Sequence, residues 1–534
     1  MTEHVAACPS LAKGLSCTPC EDLVTMDQEI LIAEEIVVKL KLKRKEICKR
    51  RNNVHDLLTS RLPPEVVSRI FIKFLPASVS RSYSINMNRR KPFDELPTTT
   101  PFLLGSVSTR WRAVTLSTPP LWTSISIDLT YTSEAFAILL QEWLERSGGL
   151  RLYLNIYATD LYPILTPSQP LMQISMQISN VLATCMPRWY YLLLEVPSTF
   201  FPCICTGVGS APQLNTLDVR VHGSGRAPIK LESIPNLKCL SIFHFDIRTI
   251  LNVSWKKLTH FDGAFPSVDM VHQLFLNALF LEHCIFYLFG GLGHNQRRAT
   301  RNTVIQHDHL VFLRIRYWAP GTDTALAWLT FPALQHLVSN KQTRSLADLI
   351  GRSLCLLKTL ELFVDVKYED QEVQLIPLVA DIPSLETLCL KDRSDQGRNR
   401  YSIDSLLLKL SETSSVNRTQ QSFLPNLKVL DLSLAEFSWI SLLGFLTAYS
   451  NTLSHINSMS LEEGSQEREH DARSLKTINI RLWNNEGTYF RPDSETSQKL
   501  QSAAEDTSLQ VNITDSYDSN HVPLAEFLQF NTLW

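Results

Sequence analysis

The chain of 534 residues carries 51 basic and 53 acidic side chains and is 44% hydrophobic and 19% charged. That balance describes a folded polypeptide and excludes a disordered one. Its near-neutrality removes the electrostatic footprint expected of a nucleic-acid-binding protein.

Eleven cysteines scattered without a framework read as reduced thiols, which fits the cytoplasm and/or nucleus. The opening Met1-Thr2-Glu3-His4-Val5 lacks the basic and apolar regions of a signal peptide. The most apolar window, Val271–Gly290, includes His272, Gln273, Asn277, Glu282 and His283. It is too polar for a hydrocarbon core and is expected to be buried structure, with no membrane span. Cys17-Thr18-Pro19-Cys20 has only Cys8 nearby; a zinc site needs four ligands, so the pair reads as chance spacing and no metal or other cofactor is expected. Without a secretory route, the Asn-x-Ser/Thr triplets at Asn252, Asn417 and Asn512 carry no meaning.

In chain order, residues 1–25 are mixed in character and expected to be a disordered tail. Residues 26–58 lack Pro and Gly and are rich in helix formers, which predicts a helix. Ala33, Leu40, Ile47 and Val54 recur every seven residues and hint at a coiled coil, although Ile36, Lys43, Arg50 and Leu57 are only half apolar. The basic run Lys39–Arg51 suits either a solvated helix face or an import signal.

Residues 59–125 form a compact helical signal. Leu62-Pro63-Pro64-Glu65 opens a helix: proline is tolerated in the first turn and the carboxylate complements the N-terminal dipole. Two adjacent apolar rows follow, Val66/Ile70/Phe74 and Val67/Phe71/Leu75, a face wider than one packing neighbour needs. A polar insert over 77–101 is expected to be a loop. A second helix then aligns Leu103, Val107, Trp111 and Val114, and Ser117–Trp122 stops it. So short a segment with so much apolar surface argues for a protein partner.

Over 150–485, leucine-like residues recur at relative positions one, four and six: Leu214/Leu217/Val219, Leu237/Leu240/Ile242, Leu281/Cys284/Phe286, Leu310/Leu313/Ile315, Leu357/Leu360/Leu362, Leu385/Leu388/Leu390, Leu427/Leu430/Leu432 and Leu475/Ile478/Ile480. Trp189/Leu192/Leu194, Leu258/Phe261 and Leu334/Leu337 are weaker members. Starts between Trp189 and Leu385 fall 21 to 29 residues apart, the leucine-rich-repeat period. Pro212, Pro235, Pro332, Pro383 and Pro425 each precede the first leucine by two residues, marking a helix-to-strand switch. Position nine holds His222, Phe245, Phe289, Trp318, Asp365, Arg393, Ala435 and Trp483 rather than Asn or Cys, so an irregular array is expected. Residues 486–534 would cap it.

No enzyme signature emerges. Gly290-Gly291-Leu292-Gly293 and Gly223-Ser224-Gly225 fall short of a dinucleotide fingerprint, and there is no phosphate-loop, H-E-x-x-H or G-x-S-x-G motif. His307-Asp308-His309, with no third ligand nearby, is expected to be a solvent-facing loop.

The segments Leu62–Phe71, Val107-Ser108-Thr109-Arg110-Trp111-Arg112 and Pro120-Leu121-Trp122, with Trp143–Gly148 and Leu150–Ile156 beyond them, resemble the F-box-like proteins of fungi. In that family a helical box precedes degenerate leucine-rich repeats. The resemblance implies an α/β chain, with a short N-terminal helical F-box-like module followed by an irregular leucine-rich-repeat solenoid. It implies docking on a Skp-type adaptor, and through it a cullin-type ubiquitin ligase, by Leu62, Pro63, Val66, Ile70, Phe71, Leu75, Val107 and Trp111, with Glu65 capping the helix start. The repeats would hold a substrate protein, and the chain would have no catalysis of its own. The competing expectation is a repeat scaffold that binds a protein without joining a ligase. A hydrolase on the same chassis is a distant third. The residues between the leucines (Arg220, Lys238, His260, Arg314, Arg316, Glu361 and Asp431) are of mixed charge and name no substrate.

Overall fold

The computed structural model describes residues 17–75, 100–158, 169–197, 200, 210–222, 234–243, 254–265, 268–288, 304–317, 326–340, 344–364, 372–392, 404–412, 423–434, 438–460, 475–482, 493–505, 509–515 and 522–523. Among these residues, thirteen α-helices and a long, mostly parallel sheet give a mixed α/β fold. It divides into two compact units, one of residues 1–126 and 134–153, the other of 127–133 and 154–534.

The first unit opens with helix α1, Thr18–His55. The helix expected to start at Met26 thus begins eight residues earlier, inside the expected disordered tail. Pro19 sits in its first turn, where a missing N–H costs nothing, and the Cys17 carbonyl accepts from the Cys20 and Glu21 amides. Asp56 separates α1 from α2 (Leu57–Arg61), and α3 follows over Pro64–Lys73. Most of the insert, residues 76–99, lies outside the described residues, but Thr100 and Pro101 are already helical. The single helix expected beyond it is two: α4 (Thr100–Val107) and α5 (Thr109–Leu116). Ser108 causes the break. It is extended at φ −153° and ψ 167°, and its Oγ accepts from the Trp111 amide at 3.1 Å, an N-cap that starts a new helix.

Aromatic packing closes this unit. Trp122, in a short 3-10 turn over Pro119–Trp122, meets Trp143 edge-on at 5.0 Å, and Phe102 meets both rings. Trp143 lies on α6 (Glu134–Arg146). Its Nε1 donates to the Trp122 carbonyl at 2.8 Å, while Trp122 Nε1 donates to the Thr115 carbonyl at 2.9 Å. Both indoles thus bury their rings with the polar edge satisfied. The unit boundaries cut strands β1 (Ser124–Asp128) and β2 (Leu152–Tyr157).

In the second unit, helix α7 (Gln169–Thr184) precedes β3 (Trp189–Pro197). From there the main sheet runs in chain order through β4 (Thr216–His222), β5 (Cys239–Phe243), β6 (His260–Phe265) and β7 (His283–Leu288). A short strand β8 (Ile305–Gln306) pairs apart with β10 (Leu329–Thr330), so β9 (Phe312–Tyr317) lies between β7 and β11 (His336–Ser339). The order continues with β12 (Thr359–Val364), β13 (Thr387–Asp392), β14 (Val429–Leu434), β15 (Thr477–Leu482) and β16 (Gln510–Asp515). Parallel neighbours need crossovers. Among the described residues, helices supply six of them: α8 (Val268–Asn277), α9 (Arg344–Ser353), α10 (Glu372–Ala380), α11 (Asp404–Glu412), α12 (Trp439–Ser460) and α13 (Ser494–Glu505). The window Val271–Gly290 falls on α8 and β7, and among the described residues no helix is long and apolar enough to cross a membrane.

The leucine pattern becomes two inward rows. One runs Leu192, Leu217, Leu240, Phe261, Cys284, Leu313, Leu337, Leu360, Leu388, Leu430 and Ile478, each opposite the next in register and each buried. The weaker members thus share the register of the strong ones. The segment expected to cap the array after residue 485 adds one more helix and a parallel strand, with Val511 opposite Ile478. The final strand, β17 (Val522–Pro523), pairs antiparallel with β16.

The prolines do something narrower than end helices. Leu214, Leu334, Leu385 and Leu427 each donate their amide to the carbonyl three residues back, which puts Pro212, Pro332, Pro383 and Pro425 at the second position of a β-turn, where a fixed φ is favoured. In place of a ladder at position nine, the residue after the proline links turns: Asn236 Nδ2 donates to the Pro212 carbonyl and Asn426 Nδ2 to the Pro383 carbonyl.

Just past α9, Leu354 holds φ +47° with its side chain 88% exposed. The left-handed conformation costs a side chain about 1 kcal/mol and is normally filled by glycine at a helix end. No apolar burial offsets it at this position. Leu354→Gly is therefore expected to stabilise the chain by about 1 kcal/mol, read as a higher urea midpoint at unchanged slope.

Candidate functional site

The first candidate surface belongs to the helical unit and is organised by Asp56. Its carboxylate accepts the Thr59 amide at 3.0 Å, capping α2, and also bonds the Thr59 hydroxyl. The Trp111 indole Nε1 donates to it at 3.1 Å and Ser108 Oγ at 3.4 Å, so one side chain ties the N-terminus of α2 to that of α5. Desolvation by burial would raise its pKa, but the Thr59, Trp111 and Ser108 donors outweigh it and hold the carboxyl below its ordinary value.

Around that node, the two apolar rows of α3 part company. Val67 and Phe71 are fully buried, and Phe71 packs on Trp111 with ring centroids 4.8 Å apart. The other row faces outward, with Val66 41% exposed, Phe74 63% exposed and Ile70 half-buried. Of the residues expected to dock an adaptor, Phe71 is therefore core. Trp111 is half-buried and committed to Asp56. Leu62 and Leu75 are half-buried, Pro63 and Glu65 are exposed, and Val107 is exposed on α4 beside Leu103 in sequence turn, one helical turn away. Glu65 lies in the first turn of α3, yet the N-cap residue is Pro63 and no side chain caps that end.

The second candidate surface is the sheet face opposite the leucines. Its central row runs Asp218, Ser241, Asp262, Ile285, Arg314, Val338, Glu361, Cys389 and Asp431 across consecutive strands. Arg220 grips Asp218 with two bonds of 3.2 and 3.1 Å and lies over the Phe243 ring. Arg316 lies over Tyr287, and Lys391 meets Glu361 at 2.8 Å and lies over Phe363. Asp262 has an oxygen shielded from solvent and unbonded among the described residues. Burial, with Asp218 adding to it, pushes its carboxyl up to about 8 against the pull of Arg220, Arg314 and Arg316. One row nearer the strand starts, His260 stacks on His283 at 4.5 Å, then Phe312 and His336 continue the line. Desolvation lowers all three imidazole pKa values.

Of the mixed-charge residues read between the leucines, Arg220, His260, Arg314, Arg316, Glu361 and Asp431 do lie on these strands, whereas Lys238 precedes β5. Asp218, Asp262, Tyr287, His283 and His336 were not singled out. Alternation marks them, since each sits directly beside an inward position: Leu217, Phe261, Phe286, Cys284 and Leu337 in turn.

Asp308 and His309 are exposed in a turn, as expected, but His307 is not. It is 2% exposed, with Nε2 bonded to the Ala278 carbonyl at 2.8 Å and its ring against Phe275. No group of three metal-ligating side chains exists among the described residues. The glycine motifs at 223–225 and 290–293 lie outside the described residues, as do Cys8 and, His222 apart, every position-nine residue. No protein-family model matches the chain, and no curated protein matches it.

Two outcomes follow from these electrostatics. Removing the Asp56 cap and its indole partner in Asp56→Ala is expected to speed amide exchange in α2 and α5 by about tenfold or more, a loss of at least about 1 kcal/mol. Because the folded pKa is depressed, that protection is full above the ordinary aspartate value of about 3.9 and disappears as pH falls through the lower folded value. Asp262 has the opposite sign. Its folded pKa of about 8 means that raising pH above about 3.9 ionises the unfolded chain first and penalises the fold. Asp262→Asn is expected to raise the melting temperature at neutral pH and flatten its fall over that window, measured by calorimetry.

Proposed function

We propose that the chain is a non-catalytic substrate receptor of a cullin-type ubiquitin ligase. In this reading, an F-box-like helical module docks on a Skp-type adaptor, and a leucine-rich-repeat-like solenoid holds the substrate protein. One observation carries it: the ten-residue helix α3 buries Val67 and Phe71 while the adjacent row Val66, Ile70 and Phe74 is left at the surface. Burying such side chains is worth about 1.5–3 kcal/mol each, and contiguous ones mark an interface more than a solvated face. Leu62, Leu75 and Val107 are half-buried or exposed and would join the docking surface. Phe71 and Trp111 would instead shape it from beneath.

For the substrate, the reading draws on the sheet's outer face. Arginines there are backed by aromatic rings, and half-buried aspartates lie beside them, which suits a partner recognised by polar groups and by shape. The parallel register, repeated strand after strand, supports the repeat assignment.

Co-purification of the full chain with a Skp-type adaptor tests the proposal. The wild type is expected to be captured. Val66→Glu/Ile70→Glu, which alters side chains outside the core row, is expected to lose capture by roughly a hundredfold while keeping its circular dichroism. A folded wild type that is not captured would sink the ligase reading and leave a protein-binding repeat scaffold.

A further inference from the structure

Helix α1 is a long helix with no buried side: every residue from Glu21 to Ile47 is exposed, including Leu23 at 64%, Ile30 at 50% and Leu40 at 59%. Thirty-eight residues make about 57 Å of helix, and apolar side chains along such a length are ordinarily covered by packing. Its charge is split end to end. Between 18 and 38 there are six acids and no base; between 39 and 55 there are eight bases and one acid. That separation is poor for bridges within the helix, and Lys39–Glu35, at the junction of the halves, is an ion pair of that kind.

We propose that α1 pairs with α1 of a second copy of this chain in an antiparallel coiled coil. This goes beyond the ligase reading and does not depend on it. The seam uses Ala33, Leu40 and Ile47 together with the positions three residues earlier, Ile30, Val37 and Arg44, and extends back to Leu23 and Met26. Antiparallel pairing then sets Leu23 opposite Ile47, Ile30 opposite Leu40 and Ala33 opposite Val37 of the other copy. Met26 faces Arg44, whose aliphatic stem covers it while the guanidinium reaches water.

The flanking positions decide orientation. In the antiparallel arrangement Asp22 meets Arg50, Asp27 meets Lys41 and Glu29 meets Lys43 of the other copy, and twofold symmetry doubles each pair. Ile36 meets its own copy, and Glu34 against Glu34 is the single unfavourable contact at these positions. A parallel arrangement of the same seam would set Asp22 against Asp27 and Glu29 against Glu34, acid on acid, twice over. The charge pattern therefore selects a second copy, head to tail.

Two thiols make the arrangement testable. Cys20 and Cys48 are half-exposed and fall at facing flank positions of opposite copies only in the antiparallel register. The full chain is treated with a short bis-maleimide and digested, and crosslinked peptides are identified by mass. Its mass in solution is measured by light scattering. The expected result is a dimer with a Cys20–Cys48 link between copies that is lost in Cys20→Ser and in Cys48→Ser. Asp22→Lys/Asp27→Lys/Glu29→Lys is expected to weaken self-association by roughly tenfold or more. Mixing it with Lys41→Glu/Lys43→Glu/Arg50→Glu should restore a mixed dimer. A monomeric mass for the folded wild type, a larger assembly, or Cys20–Cys20 and Cys48–Cys48 links would each overturn the proposal.

Discussion

The second unit depends on one constraint: parallel neighbouring strands must put their large apolar side chains at the same depth. A strand carrying Leu217 and Val219 cannot bury them alone, but between strands presenting Leu192/Leu194 and Leu240/Ile242 it shares a continuous row. The backbone enforces the alignment. Asn215 takes the Lys238 amide, Lys238 takes that of Thr259, Thr259 that of Glu282, and the chain of bonds continues to Lys476. A slip of one residue would turn every leucine of a strand to the other face. Connections between strands answer to no such rule, since lengthening a loop costs little, and those described range from the nine-residue helix α11 to the 22-residue helix α12.

That alignment also builds the opposite face. Whatever the sequence places between two inward residues is delivered to one polar row, so Asp218, Asp262 and Arg314, far apart in the chain, come under one another's fields. Buried ionisable groups of this kind cost stability, which the apolar rows behind them supply. Gly263 shows how tight the packing becomes. It occupies an inward position where neighbouring strands have Ile242 and Phe286, and a Cβ there would sit 2.7 Å from the Phe261 ring. The Phe261 ring takes the space that a side chain at 263 would need.

In the first unit, polar atoms do what the leucines do elsewhere. Asp56 ends one helix, caps the next and holds the indole against which Phe71 packs. The carboxylate thereby determines which row of α3 is inside and which is left over. The Trp122–Trp143 pair, each indole bonded to a backbone carbonyl, brings α6 into the same unit. Surplus apolar surface is then a consequence of size: so few residues cannot cover both rows of α3.

Much of this was legible in residue order. Leucine spacing is a local property, because a strand's faces alternate whatever lies next to it, so the shared strand register, including its weak members, could be read directly. Pro63 and Pro64 announced the start of α3 because proline is restricted by its own ring. Other features required the third dimension. Whether Phe71 or Phe74 belonged to the core depended on Trp111, forty residues away, and on a carboxylate at 56 that no periodicity marks. The break at Ser108 was invisible beneath an apolar row that ran across it, and His307 looked solvent-facing until the Ala278 carbonyl and the Phe275 ring closed over it. The sequence by itself determined which side chains would share a face, since that follows from backbone geometry; only the tertiary structure decided which faces are covered, since burial belongs to pairs of surfaces.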